Sequence, residues 1–209
     1  MAIDLISTQD VLYWSTMLAA IFSGSAAVLD ARGKQVDLFG ILIIAFWAAL
    51  GGGTLRDVFL DRPVFWIVDH YYLIMAWLGA VATFYLARWV RISHRWYEVP
   101  DAAALALYAI AGTQAALTEG VSWLVASFMG TLTAVAGGIL RDILCNDEPM
   151  IFRGELYAIA AWCGSFLMIL LLQLKASAGA AAAVTFILIF VMRLSAIRWN
   201  LVLPHYRQK

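Results

Sequence analysis

"AFWAALGGGTLRDVFLDRP", residues 45–63, is the stretch on which the fold turns. An apolar helical pattern runs into three consecutive glycines, Gly51, Gly52 and Gly53. It then meets a cation beside an anion, Arg56 and Asp57, before apolar residues resume. Each glycine weakens a helix by about 1 kcal/mol relative to alanine. An aspartate at bilayer depth costs about 2.5–3.5 kcal/mol on insertion scales. Both costs in one hydrophobic segment call for a compensating reason.

The segment sits in a chain of 209 residues, 64% hydrophobic and 13% charged, which is about half the charge of a soluble domain. Apolar runs of about 20 residues recur along its length, the signature of transmembrane helices. The expected fold is an all-α integral membrane protein with seven spans, at 11–29, 38–60, 70–90, 101–118, 121–145, 154–174 and 177–199. The polar connections are too short to hold a soluble domain, so residues 1–209 form one membrane domain. The N-terminus "MAIDLISTQD" lacks the basic region of a signal peptide, so the first helix is expected to stay.

Lysine and arginine set the direction. With the N-terminus outside, the inner side holds Arg32, Lys34, Arg88, Arg91, Arg95, Arg141, Arg153, Arg193, Arg198, Arg207 and Lys209. The outer side holds only Arg56, Arg62 and Lys175. The expectation is a multi-pass protein of a bacterial-type inner (plasma) membrane with its C-terminus cytoplasmic. Asp4 and Asp10 fit a translocated N-terminus. Trp14, Trp66, Trp89, Trp96 and Trp199 fall near span ends and suit the headgroup layer. Trp47, Trp77 and Trp162 lie deeper and read as packing residues.

Cys145 and Cys163 read as buried free thiols, and no CxxC pair or Cys/His cluster suggests a metal. His70, His94 and His205 read as surface residues. "GGGTLRD" is followed by neither the Lys-Ser/Thr of a phosphate loop nor a GxGxxG pattern. No catalytic triad, HExxH or paired catalytic carboxylate is present. The chain is expected to be no enzyme, to hold no cofactor or metal, and to have no nucleic-acid partner.

The opening stretch occurs twice. "GGGTLRDVFLDRPVFW" matches "AGGILRDILCNDEPMIF": Gly52, Gly53, Leu55, Arg56 and Asp57 recur as Gly137, Gly138, Leu140, Arg141 and Asp142, at an offset of 85. Pro63 corresponds to Pro149 after one inserted residue, and the offset resumes at Tyr72 and Tyr157, Ala76-Trp77 and Ala161-Trp162, Gly79 and Gly164. Residues 11–90 and 101–174 are two copies of a three-helix unit, followed by a seventh helix at 177–199. Three is odd, so the second copy enters the membrane from the opposite side. Inverted repeats of this kind are typical of transport proteins, with the path at the repeat interface.

Arg56 lies about 27 Å along its helix from Leu38, near the far side of a ~30 Å core. It could snorkel to the headgroups while the glycines merely allow close packing. The sharper expectation is that the glycines break the helix and open its backbone to a watery path. Irregular backbone at membrane depth is tolerated where it lines a cavity. The charged pair then sets the local field or gates the path. Arg56 and Asp57 point about 100° apart on a helix and are expected to favour different partners. Ala20, Gly24 and Ala27, and Ala104, Gly112 and Ala116, form small-residue faces suited either to self-association or to packing within a protomer.

The duplicated "GGGTLRD" and "GGILRD", each trailed by a proline, together with "RGELYA" and "RLSAIRWNLVLP", resemble the prokaryotic branch of the trimeric intracellular cation (TRIC) channel family. The resemblance covers nearly the whole chain. It implies inverted triple-helix repeats with kinked second and fifth helices, an hourglass-type pore inside each protomer, and a homotrimer. It also implies permeation by monovalent cations, chiefly K⁺ with Na⁺. Carried over, the kink glycines are Gly51, Gly52, Gly53, Gly137 and Gly138, and the pore charges are Arg56, Asp57, Arg141 and Asp142. The second motif has Ala136 where the first has Gly51. Membrane lipids are the remaining partners, with a bound lipid allowed, although the lipid-binding lysine pattern of animal members is not evident. Related prokaryotic proteins are also labelled glycine transporters, so a secondary transporter of a small amino acid such as glycine is the alternative. A carrier needs an anion for the substrate ammonium at the midplane. Asp57 and Asp142 sit toward opposite ends, which favours the channel.

Overall fold

The computed structural model describes residues 8–89, 98–153 and 156–203. Asp4, Arg91, His94, Arg95, Trp96, His205, Arg207 and Lys209 lie outside them. The regular elements among the described residues are helices. They are α1 (Thr8–Asp30), α2 (Leu38–Phe59), the single turn α3 (Phe65–Val68), α4 (Tyr71–Trp89), α5 (Glu98–Thr118), α6 (Trp123–Leu144), α7 (Ala158–Gln173) and α8 (Ala178–Trp199). A 3₁₀ turn at Met150–Phe152 stands between α6 and α7. Helices α2, α6 and α8 are long and apolar enough to cross a membrane, and α4 and α7 contain shorter apolar stretches.

Capping explains the sharp starts. The side chain of Asp37 accepts from Gly40 N, Ser122 from Val125 N, and Ser177 from Ala180 N, each satisfying an orphan donor of the first turn. Helices α2 and α6 end in the same way. Asp61 and Asn146 adopt φ of 50° and 55°. Arg62 N and Asp147 N then donate back to the carbonyls of Asp57 and Asp142, at 3.0 and 2.8 Å. This is the left-handed helix stop in which the residue after the cap returns to the last turn.

The core is built from small residues. Helix α1 packs along α4, α5 along α6, and α2 crosses α6. A Cβ at Gly24 would fall on the Ala76 carbonyl, and one at Gly79 on the Ile21 carbonyl, so α1 and α4 touch backbone to backbone. Ala20, Ala27, Ala104 and Ala116 are buried in the same protomer, and Gly112 lies against Thr133 of α6. Both small-residue faces are therefore used within one chain, the second of the two expected roles. Large apolar side chains point outward instead, among them Phe39, Ile43 and Trp47 at four-residue spacing on α2, and Val184, Ile187 and Val191 on α8. Such a surface suits hydrocarbon, not water.

Two expectations about single residues change. Cys163 is exposed on the protomer, and only Cys145 is buried. Trp47 and Trp162 are also outward-facing, at 38% and 48% exposure. Trp162 still ties helices together: its Nε1 donates to Ser127 Oγ at 3.2 Å, as Trp77 Nε1 donates to the Leu42 carbonyl at 3.1 Å. An indole can anchor by one nitrogen and leave its ring to the outside.

Candidate functional site: two Arg–Asp hubs at a glycine crossing

Helix α2 runs unbroken through Gly51–Gly53, and α6 through Gly137–Gly138. The expected helix interruption is absent, and all five glycines are buried. Their use is close approach. A Cβ at Gly52 would fall on the Thr133 carbonyl oxygen, and one at Gly137 on the Ala48 carbonyl oxygen. Ala48 and Thr133 are themselves 85 positions apart, so the contact is reciprocal: each helix presses its glycine onto the other's backbone at equivalent points. The neighbouring glycines admit side chains. Gly53 lies under the Phe65 ring, Gly138 under the Tyr157 hydroxyl, and Gly51 against the tip of Leu140.

One turn beyond each crossing sits a charged hub. Arg56 Nε donates to Asp57 Oδ1 at 2.8 Å, and Arg141 Nε and Nη2 donate to Asp142 Oδ1 at 3.0 and 2.8 Å. The neighbours thus pair with each other, contrary to the expectation of separate partners. The long arginine side chain bends back across the helical offset, and burial rewards the pairing: Arg56, Asp57, Arg141 and Asp142 are 6%, 0%, 1% and 2% exposed. The second carboxylate oxygen does structural work. Asp57 Oδ2 accepts from Phe65 N, and Asp142 Oδ2 from Met150 N, both at 2.9 Å. Each aspartate therefore starts the short turn that follows its proline and folds the chain back over the hub.

The hubs then diverge. Asp57 is one carboxylate between two guanidiniums, with Arg62 Nε at 3.5 Å, and Arg62 continues to Glu119 at 3.2 Å. The Arg56 guanidinium lies 5.6 Å from the centre of the Phe65 ring. Arg141 is one guanidinium among three carboxylates: Asp142, Asp101 at 2.5 Å and Asp30 at 3.2 Å. Helix α8 joins this second hub. Arg193 stands 4.9 Å from the Tyr157 ring centre, and its Nη2 lies 3.2 Å from Met150 Sδ.

Outside each hub is an ion pair with inverted sign. Arg62 meets Glu119, while at the equivalent positions Asp147 meets Lys34, which also donates to the Cys145 carbonyl. Arg62–Glu119 joins the chain after α2 to the chain after α5, and Lys34–Asp147 joins the chain after α1 to the chain after α6.

Asp30, Asp101 and Arg193 were not singled out from sequence. Asp30 did carry a signal. It is the last residue of α1, the negative end of a helix dipole, where an anion is unfavourable unless a cation faces it. Among the described residues, no group of three or more His, Cys, Asp or Glu side chains could hold a metal ion.

Long apolar helices, an outward apolar surface and buried ionic hubs define an all-α integral membrane protein. A family model described as Glycine transporter matches the chain twice, at residues 13–88 and 98–173. The UPF0126 inner membrane protein YadS of Escherichia coli (strain K12) is 34% identical over 199 residues, covering 94% of this chain and 96% of that protein. A UPF0126 membrane protein of Vibrio cholerae is 37% identical over 190 residues, covering 90% and 79%. The fold is similar to the TRIC trimeric intracellular cation channel orthologue from Rhodobacter sphaeroides, with TM-score 0.86 and 32% identity over 91% of this chain and 99% of that one. A second TRIC cation channel structure gives TM-score 0.84 and 28% identity over 94% and 98%. The chain belongs to this Glycine transporter (UPF0126) family, which shares its fold with the prokaryotic TRIC channels.

Proposed function

We propose that the protein is a monovalent-cation channel, chiefly for K⁺, whose path runs inside each protomer between α2 and α6. The observation that carries this reading is the reciprocal glycine crossing with a buried Arg–Asp hub beyond it on each helix. Buried charge is costly in a membrane and marks ion paths. The likeness to TRIC cation channels at 32% and 28% identity supports it. At the crossing the two backbones touch, which leaves no room for an ion, so conduction requires α2 and α6 to part there. The glycines are where each helix bends to do so, giving an hourglass path with its waist at the crossing. The two repeats are inverted across the membrane, seven helices span it, the N-terminus is outside and the C-terminus is cytoplasmic. Three copies assemble, each with its own path, and lipids fill the outer grooves.

The second reading, a carrier of glycine, rests on the description of the matching family model. Purified protein in planar bilayers, with labelled glycine uptake measured on the same preparation, separates the two. Cation current without saturable glycine uptake supports the channel; uptake without current overturns it.

A further inference from the structure

Helix α8 lies outside both stretches that the family model matches, and its packing leaves a recess. Between α8, α5 and Ser15 of α1 is a cavity of about 370 Å³, a volume in the range of ligand sites. Its direction follows from the ends of the helices. Asp30, last in α1, and Asp101, in the first turn of α5, both meet Arg141. Glu98, at the start of α5, lines a second pocket with Ala196 and Ile197 near the end of α8. The start of α1, the end of α5 and the start of α8 therefore share the opposite end of the molecule.

The polar groups of the recess, Ser15 and Gln114, stand toward that opposite end. Beyond them its walls are apolar, with Leu107, Ala183 and Phe186 among them. From Ala178 to Ile187 the recess follows α8 for about 14 Å. That is close to half of a ~30 Å hydrocarbon core, the depth of one leaflet. Two residues mark the headgroup level at its polar end. Trp14, beside Ser15, is 60% exposed, and Lys175 is exposed in the loop before α8. Aromatic rings and lysine ends settle in that layer. A Cβ at Gly179 would meet nothing within 4 Å, so no described part of this chain fills the recess there.

We propose that this recess binds one acyl chain of a phospholipid, with the glycerol ester at Ser15 and Gln114 and the phosphate beside Lys175. The hydroxyl and the amide can donate to ester carbonyls. The apolar walls take the chain, and the Lys175 ammonium complements the phosphate charge. Gly179, Ala183 and Ile187 form an exposed stripe at four-residue spacing on α8, so the chain can enter sideways from the bilayer. A second copy would present a helix, about 10–12 Å across with its side chains. Such a body suits the outward ridge of Val184 and Val191 better than a recess between helices. The site rests on the membrane placement proposed above and not on conduction.

Native mass measurement of the full chain, released from mild detergent with added phosphatidylglycerol, tests the site. The parent should retain one phospholipid per chain. Gly179→Phe and Ala183→Trp fill the recess and should lose it, whereas the outward Val184→Phe, beside Ala183, should keep it. Lys175→Ala should weaken retention about fivefold, the worth of one lysine near an anionic lipid, and unchanged retention there would overturn the headgroup's position. The parent alone decides if a variant fails to fold, since no retained lipid overturns the site. Equal retention in the parent and both filled variants would mean lipid held by the general surface, and also overturns it. Fewer chains per particle in Gly179→Phe, with lipid retention unchanged, would put a second copy in the recess instead. A parent that carries no current yet retains the lipid would refute the channel reading and leave the site standing. A conducting parent that retains none would do the reverse.

Discussion

At the scale of single residues, the glycines differ although they are consecutive. A Cβ at Gly52 meets the Thr133 carbonyl, which belongs to a helix backbone and cannot turn aside. A Cβ at Gly51 meets only the end of the Leu140 side chain, and the equivalent position already carries Ala136. Gly52→Ala should therefore cost about 1–3 kcal/mol as an overpacked core position, while Gly51→Ala should be nearly neutral. Thermal unfolding in detergent ranks them, and equal melting temperatures would show that the crossing is looser than described. The aspartates give a second contrast. Asp57 is the sole carboxylate paired with Arg56 among the described residues. Asp57→Asn leaves that guanidinium buried without a counter-charge, at a cost of about 3–5 kcal/mol. Asp142→Asn leaves Asp30 and Asp101 on Arg141 and should cost clearly less. The reverse order in the same melting series would contradict the two charge balances. The motif was legible in the sequence because glycines and charges stand out in an apolar run. Its wiring was not, because helical angles describe where Cβ atoms point and an arginine reaches several ångströms beyond.

At the scale of elements, hydrophobic run length located the long helices to within a few residues, since apolar residues persist over the length of each. The turns α3 and Met150–Phe152 left no trace of this kind. They are too short for periodicity and exist because Asp57 and Asp142 cap them from the preceding helices. Asp30 and Asp101 passed as boundary charges for a similar reason: their partner Arg141 is 111 and 40 positions away, a pairing that only packing creates. The outer clasps Arg62–Glu119 and Lys34–Asp147 are part-exposed, so each should couple by about 0.2–1 kcal/mol and weaken in salt. In a double-mutant cycle, Lys34→Ala and Asp147→Ala together should lose less stability than the sum of the two single losses. Additive losses would mean that the clasp carries no energy.

At the scale of the whole molecule, one sequence pattern is used twice and the seventh helix is used once. Helix α8 brings Arg193 to the second hub, so the two hubs are unequal by construction. The inward small-residue faces are spent inside the protomer, so the proposed assembly must form through the outward apolar surface. Native mass measurement of protein in nanodiscs should give three chains per particle, and a uniform monomer would refute the assembly. The central claim is that cations cross between α2 and α6 at the glycine waist. Its most direct test is the current across a planar bilayer under a KCl gradient, recorded for the parent and for Gly52→Leu. The account predicts a parent current that reverses near the K⁺ equilibrium potential and is largely lost in Gly52→Leu protein that still assembles. A parent current that reverses at the Cl⁻ potential, or a fully assembled Gly52→Leu protein that conducts like the parent, would contradict it.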